Sequence, residues 1–341
     1  MAANVISPLP SAVHVNRPMT NMSLAYMQAQ SNFVANQVFP TIPVVKQSDF
    51  YFSFPKGTFY KNKMKPRGLS EESPLIAFGV QSETPYNCVV KSVAEPVDDR
   101  LRANVDDPIQ IDRIVSLQLT MSDLIERESR WIAAFFGASI WTGDYTGVSA
   151  SPSGSQFLQW DNSASDPITD VKNAKSRAFL AMGGIEPNVM VMSKLVWDVL
   201  EQHPDIIDRI KYGQTPGAPA MVTKEIVAAL FGVDRIVVAA AIQDTSVDGP
   251  ATTTTLAYIA GKHVGLFYVP PAPGLMQMAP GYTFAWNGYL GLGSGNYNAM
   301  GSRIRNWRQE SIRSDVFEIE SAIDMKLVCA DAGIMLLSAV A

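Results

Sequence analysis

The segment Gly184–Tyr212, GIEPNVMVMSKLVWDVLEQHPDIIDRIKY, leaves this chain little conformational choice. Gly183-Gly184 and Pro187 open it, and Val189–Met192 is a short apolar run of strand character. Ser193 is placed to cap a helix carrying Leu195, Val196, Val199 and Leu200 at three- and four-residue spacing. His203-Pro204 stops that helix, because the residue before a proline is pushed out of the helical region. Asp205 is placed to cap a second short helix, with Ile206, Ile207 and Ile210 inward and Asp208, Arg209 and Lys211 outward. A unit of this α+β kind is an ordinary core element. No nucleophile–base pair and no ligand cluster lies within it.

The rest of the chain organises around that unit. Residues 1–45 are broken by Pro8, Pro10, Pro18, Pro40 and Pro43, with room for one short helix over Met22–Val34. They read as an extended arm that needs another surface to lie on. From Val44 to Val97 the pattern is β-like, with Phe50, Phe52 and Phe54 at period two and Phe59 and Lys61 following a Gly57 turn. Between outgoing and returning strands lie Lys61, Lys63, Lys65 and Arg67, in the pattern of a solvated strand edge. Residues 46–86 are therefore expected to form a long projecting hairpin that returns through Tyr86, Cys88 and Val90.

Asp107-Pro108 opens the longest expected helix, about 108–140, which would span roughly 50 Å at 1.5 Å per residue. Leu117, Met121, Leu124, Ile125, Ile132, Phe135 and Phe136 form its apolar stripe, with Asp123, Glu126, Arg127 and Arg130 on the other face. After a Gly/Ser/Thr loop over Trp141–Gly154, a further helix begins at Pro167. GQTPGAPAM, following Tyr212, is the clearest composition break and marks a subdomain boundary. Beyond it come a helix capped by Thr223 and stopped by Gly232, and the strands RIVVAAAI, Leu256–Ile259 and Val264–Val269. A glycine-rich loop holds Gly291, Gly293 and Gly295. The long strands RIRNWRQE and DVFEIESAIDMKLVC and a last strand, IMLLSAV, complete the chain.

Composition excludes several functions. Of the 341 residues 47% are hydrophobic, enough for a large core, while 17% charged residues is low for a lone soluble monomer and implies extensive contact with other protein. A net charge of −5 argues against a chain that grips nucleic acid through its phosphates. No secretion signal or membrane-spanning apolar run is visible, so a cytoplasmic location is expected, with Cys88 and Cys329 as buried free thiols. His14, His203 and His263 lack partners at metal-ligand spacing, and neither a nucleophile elbow nor a phosphate loop occurs. No catalytic, cofactor or metal residues are assigned.

The order Pro-Asn, hydrophobic run, Ser-x-x-x-Trp-x-x-Leu-x-x-His-Pro and then Arg-Ile-Lys-Tyr resembles the central domain of tailed-phage major capsid proteins. VTKEIVAALFGVDRIVVAAA and DVFEIESAIDMKLVCADAG extend the resemblance over most of the chain. It implies the Hong Kong-97-like α+β shell fold. The expected parts are the arm (1–45), the extended hairpin (46–86), a peripheral domain (87–212 with 314–341) carrying the long spine helix, and an axial domain (213–313). The implied role is an icosahedral shell subunit that forms hexamers and pentamers and encloses double-stranded DNA without binding its sequence. A scaffolding protein, a portal and decoration proteins are the implied partners, with assembly in the host cytoplasm and no membrane. An encapsulin-type compartment or an α+β enzyme would be the alternatives. The resemblance also suggests that Lys61, Lys63, Lys65 and Arg67 meet Asp98, Asp99, Asp106 and Asp107 of a neighbouring subunit. Gly291, Gly293 and Gly295 would then line the capsomer axis.

Overall fold

Eleven strands of this chain sort into two larger sheets, three pairs form small ladders, and the chain crosses repeatedly between the larger sheets. The computed structural model describes residues 28–341 apart from 54–55, 71, 74, 76–80, 83–84, 105–110, 214–221, 247–253, 273–276 and 291–300. In chain order, β1 (Thr41–Val44) precedes β2 (Ser48–Asp49) and β3 (Phe52–Ser53), which run out into the hairpin. β4 (Gln81–Ser82) and β5 (Tyr86–Asn87) bring it back, pairing antiparallel with β3 and β2. β6 (Val89–Asp98), β7 (Tyr145–Val148), β8 (Gln156–Leu158), β9 (Val189–Ser193) and β10 (Arg235–Ala239) follow. β11 (Ile242–Asp244) and β12 (Leu256–Tyr258) form a small ladder of their own. β13 (Val264–Phe267), β14 (Gly281–Trp286), β15 (Ser302–Gln309), β16 (Ser314–Leu327) and β17 (Gly333–Leu337) complete the order.

The first sheet runs β1-β14-β16-β15, with β6 also paired to β16. Both β15 and β6 pair with residues 314–321 of β16, so that strand lies between them. The second sheet runs β10-β9-β13-β17-β7-β8. β9 alternates between two buried faces: Met190 and Met192 join the core under the helices Pro167–Ala181, Lys194–Glu201, Pro204–Gly213 and Lys224–Phe231. Val189 and Val191 join a second core shared with the first sheet. A strand buried on both faces is expected to be apolar at every position, as VMVM is.

Several local expectations hold. Ser193 and Thr223 accept hydrogen bonds from the amides of Val196 and Ile226 at 3.4 Å, and Gly232 ends its helix in the left-handed region at φ 64°. Asp166 caps the helix that begins at Pro167. The second short helix is started differently from expectation. It begins at Pro204, and the ring of His203 accepts the Asp205 amide at its Nδ1. Thus Asp205 is the capped residue rather than the cap.

Over the described residues the spine helix is Ile111–Phe135, about 37 Å at 1.5 Å per residue, and it ends at Phe135 rather than near residue 140. Its end is set by Trp141, whose indole N–H donates to the Phe135 carbonyl at 2.7 Å and turns the chain away. Asp107-Pro108 lies outside the described residues. Its inward face also differs from the expected stripe: Arg127 and Glu128 are buried with Trp131, while Leu117 is exposed. A template that counts only apolar residues cannot detect a buried face with two ionisable groups at its centre.

The expected division at residue 213 does not follow the sheets. β10 and β13, assigned to the axial part, pair with β9 and β17, assigned to the peripheral part. Likewise β14 and β15 pair with β16. The proline-rich break after Tyr212 falls at 214–221, outside the described residues, and the helices Pro204–Gly213 and Lys224–Phe231 on either side of it cover one core. Strand β7, inside the expected loop Trp141–Gly154, was hidden by its brevity and its glycine. A Cβ at Gly147 would stand 2.2 Å from the Ser338 carbonyl, so only glycine lets this strand approach.

Candidate assembly interface

Two consecutive segments, 28–44 and 45–87, are held in opposite ways. The first behaves as a strap across both sheets. Gln28 uses its side-chain amide as a strand would, donating to the Ile242 carbonyl at 2.6 Å and accepting the Ile242 amide at 2.9 Å. The Asn32 carbonyl accepts the Ala240 amide at 3.2 Å, and Arg235 donates to the Gln37 carbonyl at 2.9 Å. The strap then joins the other sheet, where β1 pairs in parallel with β14.

Between those ends, Phe33, Val34, Ala35, Val38 and Phe39 are all buried. Phe39 meets Phe135 edge-on with centroids 4.7 Å apart and lies 5.4 Å from Phe267. The short helix Ala35–Val38 has no capping side chain of its own. Glu128 supplies one from the spine: its Oε2 accepts the Val34 and Ala35 amides, both at 2.9 Å. Arg127 alongside donates to Asn36 Oδ1 and to Ser302 Oγ, each at 3.1 Å. Ser302 Oγ in turn donates to Asp123 at 2.7 Å. Burial pushes the Glu128 carboxyl up to about 7, opposed by the two amides it holds. The arm expected to need a foreign surface finds one, over residues 28–44, within its own subunit. Met22–Met27 of the expected short helix lies outside the described residues.

The hairpin is the opposite case. The ladders at its base are anchored by Asn87 on Asp324 (2.8 Å) and by Tyr51, whose hydroxyl donates to the Leu327 carbonyl at 3.2 Å. Midway, Lys56 contacts the Ala181 carbonyl and Asp331, and Tyr60 donates to the Gly183 carbonyl at 3.1 Å. Residues Gly57–Tyr60 form one helical turn, not the strand expected around Phe59. Among the described residues, Lys61, Lys63, Lys65 and Arg67 lie outside any helix or strand, so the strand-edge reading is corrected. Along this stretch Met64, Leu69 and Leu75 are 91%, 102% and 98% exposed. Apolar side chains that protrude this far gain nothing from the subunit that carries them.

The acidic partners expected for those lysines are partly committed within the chain. Asp99 takes both Nη atoms of Arg308 at 2.6 Å, which holds its carboxyl below the usual range. Arg102 contacts Asp112 (2.6 Å) and Asp315. Asp98 accepts the Arg100 amide at 2.7 Å. Asp106, Asp107, Gly291, Gly293 and Gly295 lie outside the described residues. The flanks of that glycine loop are seated on the first sheet: Tyr289 stacks on Trp286 at 5.1 Å and Gly301 abuts Ala285 and Ile323.

Sequence reading missed one pair that has the look of catalysis. Ser165 Oγ lies 3.1 Å from His203 Nε2, and both are buried. Because His203 Nδ1 accepts the Asp205 amide, Nε2 carries the proton in the neutral ring, and burial lowers the pKa so that the ring is neutral. Nε2 therefore donates to Ser165, whose hydroxyl donates on to the Asn162 carbonyl at 2.7 Å. The histidine cannot take that serine's proton, so the pair stitches a loop to a helix start. Thirty-eight residues of separation hid it, and no spacing rule finds it. Among the described residues no three His, Cys, Asp or Glu side chains gather as a metal site, and no helix is long and apolar enough to cross a membrane. Cys88 is buried and its thiol is pushed up to about 12 by burial. Cys329 is only partly buried, short of the full burial expected.

No family model matches the sequence. The chain is 25% identical over 335 residues to the protein named Major capsid protein of Burkholderia phage BcepMu, covering 94% of this chain and 95% of that one. Among solved structures it resembles a phage-related protein of Bordetella bronchiseptica RB50, with a TM-score of 0.66, 21% identity and 92% and 93% of the two chains covered. The capsid structure of Cyanophage P-SCSP1u aligns with a TM-score of 0.57 at 12% identity, over 92% and 90% of the chains. The fold is thus the Hong Kong-97-like shell fold of phage capsids.

Proposed function

We infer that this chain is a major capsid protein, the structural subunit of a tailed-phage shell, and not an enzyme. The observation that carries the inference is a likeness to a phage major capsid protein that runs nearly end to end on both chains. Its site of action is the virion capsid, as a homo-oligomer. The physical features agree with that role. A shell needs many repeated contacts of modest strength, and an exposed apolar hairpin supplies area that the body lacks.

Hexameric and pentameric capsomers, an enclosed double-stranded DNA genome, assembly in the host cytoplasm, and scaffolding, portal and decoration partners are proposed from the resemblance of the sequence. The first sheet with its spine helix is proposed as the peripheral part, and the second sheet with its four helices as the axial part. Lys61, Lys63, Lys65 and Arg67 are proposed to lie against a neighbouring subunit's spine region, beside Asp98, with Asp99 recruited from Arg308. Each exposed pair would contribute on the order of 0–1 kcal/mol, and repetition would set register.

The test is expression of the whole chain, alone and with its scaffold, followed by electron microscopy. Closed shells or capsomers are expected; a folded monomer under every assembly condition tried would overturn the reading. Reversing Lys61, Lys63 and Lys65 to Glu tests the finer contact. A folded variant with poor shell yield at low salt is expected, and normal yield would remove the contact.

A further inference from the structure

We propose that Glu128 is a proton-controlled latch on the strap, holding residues 28–44 firmly when its carboxyl is neutral and loosening them when it ionises. Geometry carries this. Glu128 is fully buried, its Oε2 is the acceptor for the Val34 and Ala35 amides, and its Oε1 is buried without a hydrogen-bond partner. Burial of an ionised carboxylate is costly unless a cation or several donors compensate it. No cation sits on Glu128 among the described ion pairs.

The charged groups around the latch are engaged elsewhere, apart from the Arg127 Nε, which is buried without a hydrogen-bond partner. On the spine, Arg127 serves Asn36 and Ser302, Asp123 accepts from Ser302, and Arg130 donates to the Ile323 carbonyl beside Glu126. From the second sheet, Arg235 serves the Gln37 carbonyl. The strap itself, QAQSNFVANQVFPTIPV, has no ionisable side chain at all. Protonation at this contact is therefore a property of Glu128.

The direction follows from linkage. The carboxyl titrates near 4.5 when solvated and near 7 when the strap covers it. Docking is strongest below about pH 4.5, weakens as pH rises toward 7, and is level above that. Since the strap ties β10 and β11 of one side to β14 of the other, its grip sets how firmly the two sheets are held.

Hydrogen exchange of the full-length chain, corrected for intrinsic rates, measures this between pH 5 and pH 9 in peptides covering 28–40. In the wild type, protection is expected to fall by on the order of 100-fold across that range. Glu128→Gln keeps an acceptor oxygen but cannot ionise, so its protection is expected to be flat and higher than wild type at pH 8. A flat wild-type profile overturns the latch, as does a Glu128→Gln profile that falls in parallel with wild type. Asp123→Asn, which alters the neighbouring carboxylate, is expected to keep the wild-type pH dependence. Loss of that dependence would move the titration to Asp123 and overturn the assignment even if Glu128→Gln fails to fold.

Discussion

The strap and the hairpin are neighbours in sequence, and both read from sequence as projections, yet they have opposite physical characters. Over 28–44 there is no charge, four side chains are at most 2% exposed, and backbone groups are satisfied by Gln28, Glu128 and Arg235. Over 45–75 there is a run of basic residues, and large apolar side chains stand in solvent. The strap completes its own subunit's core. The hairpin leaves Met64, Leu69 and Leu75 in solvent. What separates them is whether the apolar residues lie among charges: a strap without ionisable groups can be swallowed whole, whereas Met64 between Lys63 and Lys65 cannot be buried without stranding its neighbours.

The contrast can be broken at the strap first. Phe39→Ala empties the space between Phe135 and Phe267, and a loss of about 3–5 kcal/mol in chemical denaturation is expected. A loss under about 1 kcal/mol would mean that the strap is not part of the core.

At the hairpin's base, Cys88 reports whether the joint is closed. Its buried thiol titrates near 12, so at pH 8 thiolate is scarce, and labelling by a bulky reagent should be at least about 100-fold slower than for a solvated thiol. Rapid labelling in the folded chain would place the base in the open with the tip.

Gln28→Ala removes the two hydrogen bonds to Ile242, for which a loss of about 1 kcal/mol is expected by the same denaturation. The smallest effect belongs to the tip. Met64→Ser, Leu69→Ser and Leu75→Ser together should change subunit stability by less than about 0.5 kcal/mol, while shell yield falls. A large stability loss would make the tip part of its own subunit.

Local signals were legible where one residue decides the conformation. Ser193, Thr223 and Gly232 end or begin helices as their chemistry requires, and the order of parts from arm to last strand was readable. What was hidden depends on contacts between distant segments. Arg127 reads as a surface residue, and Glu128 draws no attention, until the strap is laid over them. Strand β7 needs Ser338 to explain Gly147, and the sheets need three crossings of the chain that no composition break announces. Of the candidate interface, the basic run was visible as chemistry, whereas the commitment of Asp99 to Arg308 could not be seen across 209 residues.

The most direct test compares hydrogen exchange of the unassembled subunit with that of the assembled shell. The strap, 28–44, should be protected before assembly and change little, while residues 61–75 should exchange freely in the subunit and gain protection in the shell. If the hairpin stays equally open after assembly, or the strap becomes protected only then, the division of labour between them is wrong.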